Sequence, residues 1–64
     1  MKTEDMDILE DLVDRYTLAD VLEALTEVCE LKADHLRSNW QDSNGAKVWS
    51  AVGAKVAKVK TAGL

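Results

Sequence analysis

The sequence predicts an all-α fold of three helices, and three observations carry that expectation. Apolar residues recur every third or fourth position through most of the chain, proline is absent, and only three glycines interrupt 64 residues. Phe is missing and aromatic residues make up 5% of the chain, which argues against a β-sandwich. The expected helices run over about 4–16, 18–39 and 43–60, in a single domain covering 1–64 with 61–64 as a frayed tail.

The first helix starts at Thr3 or Glu4. Met6, Leu9, Leu12, Val13 and Tyr16 fall on one face, while Asp7, Glu10, Asp11 and Asp14 face away. Thr3 is a candidate cap, and Glu4 and Asp5 suit the positive end of the helix dipole. The next boundary is sharper. Thr17-Leu18-Ala19-Asp20 has the form of a capping box, with Tyr16 and Val21 placed to form a hydrophobic staple across it. A connection this short makes helices one and two neighbours at a tight corner. It superficially resembles a helix-turn-helix, but the acids on both helices would repel phosphate.

The second helix spans roughly 33 Å at 1.5 Å per residue. Leu18, Val21, Leu22, Leu25, Val28, Cys29, Leu36 and Trp40 define its apolar face, with Asp20, Glu23, Glu27, Glu30 and Asp34 opposite. Lys32 and Asn39 break that pattern by projecting among apolar residues. A lysine there can snorkel past the edge of the core, or it can pair with an acid of another helix or another subunit and fix register.

The third helix repeats Trp49, Val52, Val56 and Val59 at spacings of three and four, which favours helix over strand despite the valines. Asp42, Ser43 or Asn44 is its candidate cap. Ala46, Ser50, Gly53 and Ala57 form a stripe of small residues. A glycine inside a helix costs about 1 kcal/mol relative to alanine, so Gly53 implies the close approach of another helix.

A chain of 64 residues buries a modest core, and chains near this size tend to recruit disulfides, a metal or a second subunit. The single Cys excludes an internal disulfide and a thiol-rich metal cluster. A helical homodimer that completes the core is the remaining device. Charge is segregated in a way that suits it. Residues 1–30 hold ten acids against Lys2 and Arg15, net −8; residues 31–64 hold Asp34 and Asp42 against six bases, net +4. Such asymmetry favours association between copies, although helix dipoles, with acids near helix starts, account for part of it.

Catalytic chemistry finds no support in the residues. Cys29 and His35 are six apart and point to different sides of one helix, so they form neither a nucleophile–base pair nor a metal pair, and no phosphate-binding glycine loop is present. The expectation is no catalytic residues, no metal and no cofactor. Lys47, Lys55 and Lys58 form a basic face on helix three, the basis of an alternative reading as a nucleic-acid-associated protein. Net charge −4 and the acidic first half argue against it. A membrane-surface reading uses the same helix, but the apolar side it requires is the one a small bundle must bury. No apolar run reaches the roughly 20 residues of a membrane span, and the acidic start lacks a signal-peptide core. With the lone Cys, this suggests a reducing, cytoplasmic setting.

The remaining class is a small acidic interaction or regulatory module whose first partner is another copy of itself, with another protein as a further candidate. The stretch from His35 to Asp42 concentrates its versatile side chains. Trp40 and Trp49 are expected to meet as a core corner, with Ser38, Asn39 and Gln41 satisfying the last carbonyls of helix two. Lys32, His35, Arg37 and Asn39 are the candidate partner or subunit contacts.

Overall fold

The computed structural model describes residues 1–64 and contains three α-helices and no strand: α1 Thr3–Arg15, α2 Leu18–Asn39 and α3 Ser43–Ala57. The Thr17 hydroxyl accepts a hydrogen bond from the Asp20 N–H at 3.0 Å, and the Asp42 carboxylate accepts from the Gly45 N–H at 2.9 Å. Both act as N-caps, relieving one orphan donor of the helix that follows. Thr3 does not. The helix begins on it, and the N-cap position falls to Lys2, whose side chain makes no capping bond.

α2 and α3 form an antiparallel hairpin. Gly53 lies against Cys29, and Gly45 lies near Leu36, so residue numbers rise on one helix as they fall on the other. All four buried residues of the molecule, Cys29, Ala33, Ala46 and Gly53, sit along this seam. A Cβ added at Gly53 would stand 2.9 Å from that of Cys29, closer than two such carbons tolerate. The small-residue stripe thus lets two helices approach closely, and the contact offsets what glycine costs inside a helix.

The third helix ends at Ala57, earlier than the expected 60. The Lys58 N–H donates to the Lys55 carbonyl and the Val59 N–H to that of Val56, both at 3.1 Å, which tightens and closes the last turn. Residues 61–64, expected as a frayed tail, turn through Ala62 and Gly63, and the Leu64 main-chain oxygen accepts from the Ala19 N–H at 3.1 Å. That places the end of the described chain over the first turn of α2, where amide donors are free.

α1 is set apart. It contributes no buried residue, and no Cα of α1 comes within 8 Å of one in α3. Its contact with the hairpin is a groove lined by Leu12, Tyr16, Val21 and Ala24 at the start of α2, the place predicted for the staple. The radius of gyration is 13.6 Å, against about 11 Å for a compact chain of this length.

Candidate functional site

The corner between α2 and α3 gathers most of the predicted contact residues. At its bend Gln41 takes a left-handed backbone conformation, φ 50°, a place that ordinarily favours Gly or Asn. One of the last carbonyls of α2 finds backbone partners there: the Leu36 oxygen accepts from the Trp40 N–H at 3.3 Å and from the Asp42 N–H at 3.0 Å. None of the Ser38, Asn39 and Gln41 side chains bonds a carbonyl of α2; that of Asn39 turns to His35 instead.

Trp40 is not a core residue. It is 69% exposed, and its indole N–H donates to His35 Nε2 at 3.1 Å instead of closing over Trp49. The reason is positional. Trp40 sits at the C-cap, where the chain is already turning away from the seam, so its ring lies back along its own helix. An indole N–H can only donate, so Nε2 must be the unprotonated ring nitrogen and Nδ1 carries the proton. The Asn39 amide lies 2.8 Å from Nδ1 and satisfies it with its oxygen once the amide is turned toward the ring. His35 is thus bracketed at both ring nitrogens by residues four and five positions ahead. Asn39, expected to project inward, is exposed and spends its side chain on this bracket.

Arg37 faces another way and pairs with Asp34 at 3.0 Å in an exposed i,i+3 contact. Lys32 makes no ion pair, nor do Lys47, Lys55 and Lys58; the two pairs present are Arg37–Asp34 and Arg15–Asp11. Of the four predicted contact residues, Lys32 and His35 come together, lining one shallow groove with Val28 and Leu31. Arg37 is separate from it.

Val28 of that groove also belongs to a wider set of exposed apolar side chains. Leu25, Val28, Trp49 and Val52 all remain substantially exposed, and Leu31 is 67% exposed. On α2, Leu25, Val28 and Lys32 lie to one side of the Cys29–Ala33 seam; on α3, Trp49, Val52 and Val56 lie to one side of the Ala46–Gly53 seam. In an antiparallel pair with this register, the two flanks open in the same direction. Together they make an apolar face beside the seam, with Lys32 set into it. The exposure of Leu31 and Val48 was missed by sequence reasoning. A signal for it existed: α2 carries apolar residues around more of its circumference than one neighbour can cover.

No group of three or more His, Cys, Asp or Glu side chains converges as a metal site would require, and Cys29 is buried against Gly53. No helix is long and apolar enough to cross a membrane.

Fold and surface together define an all-α, three-helix protein with an open apolar face. No protein-family model matches the chain, and neither a curated protein nor a solved structure matches it.

Proposed function

We propose that this chain is a small helical protein–protein interaction module, without catalytic activity of its own, that completes its core by pairing with a second copy. The observation that carries the reading is area. The chain exposes 5207 Å², whereas a compact monomer of 7.1 kDa exposes about 4,100 Å². The surplus of about 1,100 Å² per chain, removed from two copies, corresponds to about 2,200 Å² of total interface, within the range of stable homodimers. Contiguous exposed apolar surface marks interaction sites in soluble proteins, and Leu25, Val28, Trp49 and Val52 expose apolar surface together.

The test is a pair of substitutions on that face, Val28→Asp and Val52→Asp, read by size-exclusion chromatography with light scattering. Both side chains are already partly solvated in the single chain, so each variant should keep its helical circular dichroism while losing the dimer. A variant that keeps both its helicity and the assembled mass would remove this face from the account. The runner-up reading, nucleic-acid association, draws on the unpaired Lys47, Lys55 and Lys58. Titration with single- and double-stranded DNA and RNA at low salt separates the two, since phosphate binding by lysines is strongest there.

A further inference from the structure

Building on the self-association reading, we propose that α1 is an exchanged arm: α1 of each copy docks on the outer side of α3 of the other, with its acids set against the partner's lysines.

Two amphipathic surfaces of opposite charge are present in one chain and do not meet. α1, Thr3–Arg15, holds six acids against Arg15, net −5, and residues 43–60 hold four lysines and no acid, net +4. No Cα of α1 comes within 8 Å of α3. Each surface also leaves apolar side chains uncovered. Ile8 on α1 is 57% exposed, and Val48 and Val52 on α3 are likewise open. Val48 and Val52 are four apart and share a side of α3, with Lys55 beside them and Lys47 at the margin. The side of α1 turned away from its apolar stripe carries Ile8 with Glu4, Asp7 and Asp11 around it, and it matches that side of α3 in both respects.

Docking within one chain is opposed by the corner. Thr17 caps α2 through Asp20, and Leu12 and Tyr16 line one groove with Val21 and Ala24, which keeps α1 beside the start of α2 and out of reach of α3. A second copy brings an α1 to α3 without disturbing that corner. A two-fold dimer makes the contact twice, so the surplus area on both surfaces is removed together. Attraction between a −5 helix and the +4 carried by residues 43–60 also favours this pairing over α1 on α1 or α3 on α3, which place like charges together.

The test uses two full-length variants. One reverses α1 (Glu4→Lys, Asp7→Lys, Asp11→Lys), and the other reverses α3 (Lys47→Glu, Lys55→Glu, Lys58→Glu). Sedimentation equilibrium is run on each alone, on their equimolar mixture and on a chain carrying all six changes, with circular dichroism confirming helicity. Each variant alone should self-associate at least about tenfold more weakly than the unaltered chain, because both copies of the contact become repulsive. The mixture should recover to within about threefold, because both of its contacts again join opposite charges. The exchange is overturned if each variant alone dimerises as the unaltered chain does. It is also overturned if the mixture fails to recover while the six-change chain behaves as a monomer with raised thermal stability, the mark of α1 docking within its own chain. Should a reversed variant lose helicity, the comparison is repeated with Gln in place of each reversed charge. The same weakening is then expected at smaller size, and its absence counts against the exchange. An unaltered chain that is monomeric throughout would instead sink the self-association reading itself.

Discussion

α1 and the α2–α3 hairpin differ in a way their sequences do not advertise. α1 has the cleaner amphipathic pattern, with Met6, Leu9, Leu12, Val13 and Tyr16 in one stripe and acids behind, yet it buries nothing. The hairpin has an untidier pattern, broken by Lys32, Asn39 and Gly53, and contains all four buried residues. Amphipathicity records that a helix has a face to bury. It does not say against what. Small residues at helical spacing are more informative about packing, because they permit a close approach that larger side chains forbid.

The largest effect that would break this contrast is expected at Gly53. Gly53→Leu should destabilise by about 3 kcal/mol or more, since the added side chain enters the space held by Cys29 and the Thr26 carbonyl. A urea titration followed by circular dichroism reads it directly. A modest effect there would mean that the seam is looser than the distances imply. On α1 the corresponding change, Ile8→Asp, should leave the folding of the isolated chain within about 1 kcal/mol while weakening self-association, because Ile8 is 57% exposed in one copy.

Smaller changes sharpen the account of the corners. Thr17→Ala and Asp42→Ala should each cost about 1 kcal/mol, the ordinary worth of an N-cap, with the helix in question fraying first. Gln41→Gly should stabilise by several tenths to about 1 kcal/mol, since glycine adopts φ 50° without strain. Thermal melts at fixed protein concentration would resolve both signs.

Where local chemistry decides the outcome, the sequence was legible. Thr17 and Asp42 cap as their positions imply, Gly53 meets a neighbouring helix, and the three helices lie within a few residues of the expected spans. Thr3 failed as a cap because Lys2, not Thr3, occupies the position just outside the helix. The site was less legible. Trp40 was expected inside because its position extends the apolar face of α2, but periodicity holds only while the helix continues, and Trp40 lies at its end. Its bond to His35 depends on a side-chain direction that spacing does not specify. The openness of Leu25, Val28 and Leu31 follows from α1 swinging off the hairpin, a tertiary choice made at the Tyr16–Thr17 corner.

The central claim is that one chain is an incomplete core. Sedimentation equilibrium on the unaltered protein, across a concentration range from micromolar to several hundred micromolar, tests it most directly. The account predicts a mass approaching twice 7.1 kDa as concentration rises, with dissociation favoured at the dilute end. A mass that stays at that of one chain across the whole range, with helicity intact, would contradict it.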